Sequence, residues 1–252
     1  MNDFAGQTII VTGGTKGVGR AIALNFEAAG GNVIICGRHT PDTPIGSSTF
    51  VAADIRTEEG IAAVMAAAES TGRLDVLVNN AGGSPPADAA TASPRFTESI
   101  IRLNLLAPLN MMQAGFAMLA KRGGAIVNIA SISGVRASPG TMAYGAAKAG
   151  LLNSTKSLGQ EWAGKNVRVN AIIAGLIQTE AADDHYGGAD GIARIAAELP
   201  MGRMATPNDI ADAVLWLASD KAAYVSGAAL EVHGGGEPPL FLKLAEEAAK
   251  ND

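Results

Sequence analysis

The feature that most constrains this chain is alternation. Short apolar runs of strand-forming residues recur along it, and most are followed by a longer segment of helical character. Thr8-Ile9-Ile10-Val11, Val33-Ile34-Ile35-Cys36, Phe50-Val51-Ala52, Val76-Leu77-Val78, Ala125 to Ile129 and Val167 to Ile172 read as strands. Helices are expected from about Lys16 to Ala29, Glu58 to Glu69, Asn104 to Lys121 and Met142 to Trp162. Unbroken apolar strands joined through helices imply a parallel sheet, because such strands need cover on both faces. Apolar residues make up 48% of the 252 positions, enough for that cover. The expected fold is α/β, a single doubly wound domain over residues 1–252.

Composition removes several function classes. A net charge of −5 argues against nucleic acid, whose phosphates call for a basic patch. Cys36 stands alone and cannot make an internal disulfide, and no Cys/His cluster has metal-ligand spacing. His39, His185 and His233 are scattered and read as loop or surface residues. Met1-Asn2-Asp3 lacks the pattern of a signal peptide, and no uninterrupted apolar run approaches the roughly 20 residues of a membrane helix. The expected compartment is the cytoplasm.

Thr12-Gly13-Gly14-Thr15-Lys16-Gly17-Val18-Gly19 lies between the first strand and the first helix. Glycines there allow positive φ and close approach, so amides at a helix N-terminus can face a pyrophosphate. The same turn could instead serve tight strand-to-helix packing. Asn79-Asn80-Ala81-Gly82 ends the fourth strand, and ligands of parallel sheets sit at strand C-termini. Asn80 also reads as a turn residue, and Asp54 as the N-cap of the helix beginning near Glu58.

Tyr144-Gly145-Ala146-Ala147-Lys148 opens the longest expected helix, and positions four apart share a face. A free phenol titrates near 10. Bringing it toward 7 requires roughly 4 kcal/mol. A cation about 4 Å away at an effective dielectric of 20 supplies about that much. Ser131 ends the strand Ile126-Val127-Asn128-Ile129-Ala130, which opens on the same crevice as the glycine loop. Asn104 sits in Leu103-Asn104-Leu105-Leu106-Ala107-Pro108.

Taken together, the G-x-x-x-G-x-G spacing, the N-N-A-G stretch, Ser131, the Y-x-x-x-K pair and the N-L-x-x-P stretch resemble the short-chain dehydrogenase/reductase family, classical branch. The resemblance implies a Rossmann-like NAD(P)H-dependent oxidoreductase acting on a carbonyl/hydroxyl pair. It implies the catalytic residues Asn104, Ser131, Tyr144 and Lys148. Tyr144 exchanges the proton, Ser131 bonds the same oxygen, Lys148 lowers the tyrosine pKa and holds the ribose, and Asn104 anchors a water; Ser133 is the rival serine. It implies dinucleotide contacts from Gly13, Thr15, Lys16, Gly17, Val18 and Gly19, from Asp54, Ile55, Asn80, Ala81 and Gly82, and from Tyr144, Lys148, Gly175, Ile177 and Thr179. Where the family usually has proline, this chain has Ala174, so a less rigid loop start is expected. His233-Gly234-Gly235 stands where the family often has D-G-G.

Residues 180–200 are expected to form a substrate lid and 237–252 a C-terminal tail. A homotetramer packed through the Tyr144 helix, with Ala146, Ala149 and Gly150 exposed, is expected from the family. The substrate is left open among a 3-oxoacyl thioester, a steroid-like ketone and a small cyclic ketone. A non-catalytic dinucleotide-binding regulator is the alternative. NADP(H) is expected over NAD(H), because Gly37 stands where an NAD enzyme places an acid and Arg38 follows it.

Overall fold

The computed structural model describes residues 3–180, 182 and 186–249. Asp183, Asp184 and His185 of the expected lid, and the last residues of the tail, lie outside them. The strands are β1 (Thr8–Thr12), β2 (Asn32–Gly37), β3 (Thr49–Ala52), β4 (Val76–Asn79), β5 (Gly124–Ser131), β6 (Val167–Ala174) and β7 (Ala229–Val232). They form one sheet in the order β3-β2-β1-β4-β5-β6-β7, and every pairing is parallel. The helices are α1 (Gly17–Ala28), α2 (Glu58–Ser70), α3 (Pro94–Ile101), α4 (Ala107–Ala120), α5 (Met142–Glu161), α6 (Gly188–Glu198), α7 (Pro207–Ala218) and α8 (Leu240–Ala249).

Side chains alternate across a strand, and both sets are apolar here. Ile9 and Val11 of β1 face a layer with Ile22 and Phe26 of α1 and Ile210, Val214 and Leu217 of α7. Ile10 faces the other layer, with Val64 of α2, Met111 and Met112 of α4 and Leu151 of α5. Strand order reverses between β1 and β4, so a crevice opens at their C-terminal ends.

The sequence pattern places the start of the third helical segment near Asn104, but helix begins ten residues earlier. Ser93 caps it, its hydroxyl accepting from the Phe96 N–H at 3.2 Å, and Pro94 takes the first turn. A π-turn over Arg102–Leu106 joins α3 to α4, so the apolar period changes phase at Asn104. By length and composition alone the joined run, Pro94–Ala120, could cross a membrane, an 18-residue window of it having mean hydropathy 1.2. Arg95, Glu98 and Arg102 interrupt its apolar character. The α4 portion lays Met111, Met112 and Leu119 against the sheet, and Asn104 sits fully buried within the run.

Candidate active site

The glycine loop is shaped by contacts that forbid side chains. Gly13 (φ +66°) and Gly17 (φ +55°) take left-handed conformations, and a Cβ on Gly19 would lie 2.2 Å from the Gly13 carbonyl oxygen. The Asn80 amide donates to the carbonyls of Thr12 at 2.9 Å and Gly13 at 3.2 Å. The Thr12 hydroxyl accepts from the Asn80 and Ala81 N–H groups, each at 3.0 Å. Asn80 is therefore a tie between the ends of β1 and β4. Lys16, at the N-cap of α1, makes no side-chain cap, while the Gly17 N–H donates to the Glu180 carboxylate at 3.1 Å. Sequence reasoning missed Glu180, since the contact spans 163 residues.

The other expected dinucleotide residues divide by environment. Thr15 faces Gly37, Thr179 faces Gly17, and Gly82 lies against Asn104 and Lys148. Val18 packs on one core layer, while Ile55 is buried in the other and Ala81 packs on it. Ile177 bridges to Ala205, and a Cβ on Gly175 would lie 2.6 Å from that of His233. Asp54 does not cap α2; Thr57 does, accepting from the Gly60 N–H at 3.1 Å. Arg56 takes the Asp54 carboxylate instead, through Nε at 2.8 Å and its backbone N–H at 3.0 Å. That bonding to Arg56 holds the carboxyl below its usual range, with a smaller contribution from the charge of Arg38. Arg38 and Lys16 are exposed. These residues fit a dinucleotide: the stretch from β1 into the N-terminus of α1 carries no side chain at Gly13, Gly17 and Gly19.

Two further glycines bring the candidate chemical groups together, and neither was singled out from sequence. A Cβ on Gly134 would lie 2.9 Å from the Lys148 backbone, and one on Gly145 would lie 2.9 Å from the Ser133 carbonyl. The loop after β5 and the first turns of α5 can thus approach closely. Deeper, the Asn79 amide donates to Asn128 at 2.8 Å, and the Asn128 amide donates to Thr155 of α5 at 3.0 Å. Those buried bonds fix α5 against β4 and β5.

Ser131 hydrogen-bonds Tyr144, and its Oγ accepts from the Ser133 N–H at 3.2 Å. Burial pushes the Tyr144 phenol up, the Ser131 bond opposes that, and Tyr186 of the lid segment raises it further. The expected lowering by Lys148 is not how this arrangement works. The two side chains do share a face of α5, but the Lys148 ammonium lies 5.5 Å from the Tyr144 ring centroid and donates to the Ile129 carbonyl at 2.7 Å. The buried ammonium is drawn to the β5 backbone rather than to the phenol oxygen.

Burial pulls Lys148 from its ordinary 10.5 to about 8. A lysine depressed on folding costs stability below its folded pKa, and the cost is relieved as pH rises from about 8 through 10.5. At about 1.4 kcal/mol per pH unit the cost at neutral pH is roughly 3 kcal/mol. Packing alone does not explain keeping such a group.

Asn104 is tied to the loop after β4. Its Oδ1 accepts from the Gly83 N–H at 2.8 Å, and its Nδ2 donates to the Gly83 and Ile100 carbonyls, each at 2.9 Å. With both ends of the amide engaged, the side chain holds the loop after β4 beside Lys148. Ala174, which stands where proline was expected, does not loosen its loop. β6 runs through it, pairing with Ser131 on one side and Val232 on the other.

Comparison with known proteins agrees with this geometry. A family model described as enoyl-(acyl carrier protein) reductase matches residues 13–237. A 3-oxoacyl-[acyl-carrier-protein] reductase of Chlamydia muridarum is 37% identical over 91% of this chain and 96% of its own. An uncharacterized short-chain type dehydrogenase/reductase of Sinorhizobium fredii is 36% identical over 91% of this chain, which spans only 43% of that longer protein. A crystal structure of a Beutenbergia cavernae protein, with NADP bound at low occupancy, superposes with a TM-score of 0.86 at 35% identity, covering 93% of this chain and 98% of that one. Fold, site and relatives define a nicotinamide-dependent oxidoreductase. The chain belongs to the short-chain dehydrogenase/reductase family.

Proposed function

We propose that this chain is an NADP(H)-preferring ketoreductase of the cytoplasm, with Ser131, Tyr144, Lys148 and Asn104 as its catalytic group. The observation that carries the reading is the Ser131–Tyr144 hydrogen bond at the end of β5, with the buried Lys148 ammonium behind it. A phenol pushed up by burial is protonated at neutral pH, so the site holds an acid ready, as carbonyl reduction requires. The glycine loop with Thr15 and Val18, the Asn80–Gly82 stretch, Gly175, Ile177, Thr179 and Lys148 would hold the dinucleotide. The bound nicotinamide supplies the hydride. Tyr144 Oη passes its proton to the carbonyl oxygen, Ser131 Oγ–H donates to the same oxygen, and Lys148 Nζ, held at the Ile129 carbonyl, would take the ribose of the dinucleotide. Asn104 positions Gly82 and Gly83 beside Nζ. Alcohol oxidation runs the same proton transfers backwards.

The four-residue separation of Tyr144 and Lys148 favours a carbonyl over the double bond named in the matching family's description, since an enoyl reductase is expected to space the pair more widely. The test is a panel of ketones and small diketones with NADPH and NADH. Ketone-dependent NADPH oxidation is expected. Tight NADPH binding with no turnover across the panel would instead support a dinucleotide-binding regulator.

The proposal includes a homotetramer. On α5, Ala146 and Ala149 are exposed, although Gly150 is partly covered, where a Cβ would lie 3.1 Å from Leu105. Light scattering at micromolar concentration is expected to return four times the 25.5 kDa chain mass. A monomeric mass would remove this part of the proposal.

A further inference from the structure

Three strand ends lie level. Ser131 pairs with Ala174, and Ala174 pairs with Val232. The next residue on each strand, Ile132, Gly175 and His233, lines a cavity of about 180 Å³ directly beyond the candidate serine. Ile132, Val135, Leu176 and Leu199 give it an apolar side, and Glu231 and His233, 2.7 Å apart, line it as well. Its far side is built by the chain that leaves β7. Gly234, Gly235 and Gly236 all have positive φ, at +65°, +95° and +80°, a run that glycine alone adopts readily. They turn the backbone back on itself, with the Gly236 N–H donating to the His233 carbonyl at 3.1 Å. Gly236 and Glu237 then border the cavity. Arg136, on the loop after Ser131, donates to the Glu237 carboxylate at 2.7 Å and so links the two sides of the opening. The family match ends at this acid.

We propose that the Gly234–Glu237 turn, latched by Arg136 to Glu237, is the end wall of the substrate pocket and selects compact ketones. The inference rests on the ketoreductase reading of the same site. A cavity of about 150 Å³ with apolar walls accommodates benzene. The group carried on this side of the reacting carbonyl is therefore limited to about a single ring or a short branched alkyl. The Arg136–Glu237 ion pair at the rim sets how far that group extends.

The test compares butane-2,3-dione with a naphthyl-substituted 1,2-dione in the wild type, Glu237→Arg and the charge-swapped Arg136→Glu/Glu237→Arg. Each is followed by kcat/KM with NADPH and by saturation-transfer NMR of diketone binding. Exposed ion pairs contribute little to stability, so the variants are expected to fold. Glu237→Arg replaces attraction by repulsion. It is expected to raise the large-to-small ratio at least fivefold, with NADPH affinity unchanged, and the swap is expected to return it to within twofold of wild type. A Glu237→Arg ratio within twofold of wild type overturns the proposal, as does a swapped double variant as permissive as the single one. If the wild type turns over neither diketone, the ketoreductase reading has failed, and the binding ratio still decides the wall.

Discussion

Tyr144→Phe is expected to lower the rate of carbonyl reduction at least ~100-fold while leaving dinucleotide binding intact, since general acids contribute about 10²–10⁴-fold. The substitution removes one oxygen and keeps the ring that packs beside Lys148, so the fold of α5 has no reason to change. What is lost is the proton donor proposed to follow the hydride. Ser131 remains, but a serine hydroxyl bonds a developing alkoxide without readily giving up its proton. Residual turnover through Ser131 and bound water is the reason to expect a low rate rather than none. Because burial raises the phenol above its usual range, wild-type reduction should show no loss of activity from tyrosine ionisation across neutral pH. Rates under saturating NADPH, with binding followed by nucleotide fluorescence, check both parts. A variant retaining more than about a tenth of the wild-type rate would exclude Tyr144 as the acid.

The architecture was legible because it follows from local periodicity. β1, with all five residues buried, can only be a central strand, and its apolar run says so without any partner in view. The helix over Met142–Glu161 and the glycine turn before α1 were equally readable, because their determinants lie within a few residues of each other. What escaped the sequence is what depends on contacts between distant segments. The π-turn at Asn104 adds a residue to the helical period, and no pattern in Leu103–Leu106 announces it. Asp54 and Thr57 are both good N-caps by residue type. The choice of Thr57 is settled by Arg56, which takes the Asp54 carboxylate. The direction of the Tyr144 shift was misjudged for a related reason. Placing Lys148 on the same helix face was correct, but the Ile129 carbonyl that draws its ammonium away belongs to another strand. Gly134 and Gly145 looked like ordinary loop and helix glycines until the backbone opposite each was known.

Arg38→Ala is expected to reduce NADPH affinity at least about tenfold and to leave NADH affinity nearly unchanged. Two guanidinium groups flank the end of β2 and the turn after β3, and they are not equivalent. Arg56 is held by Asp54 through several bonds, a pair whose charges largely cancel. Arg38 is exposed, and its charge reaches the Asp54 carboxyl only as a secondary contribution. Arg38 is therefore the guanidinium available for a ribose 2′-phosphate, and Lys16 at the N-cap of α1 offers a second cation. Gly37 precedes it without the acid that would repel that phosphate, and a Cβ there would already lie 3.4 Å from the Thr15 methyl. Charge-assisted hydrogen bonds contribute about 1.5–3 kcal/mol. An exposed contact falls toward the low end of that range through solvent screening. The low end still corresponds to about tenfold in affinity. Screening also fixes the salt response: the NADPH preference should narrow as ionic strength rises and the Debye length shrinks from about 10 Å at 0.1 M. Values of kcat/KM for both cofactors, in the wild type and in Arg38→Ala at two salt concentrations, test the assignment. Equal or better use of NADH by the wild type would overturn it, and so would an undiminished NADPH preference in the variant.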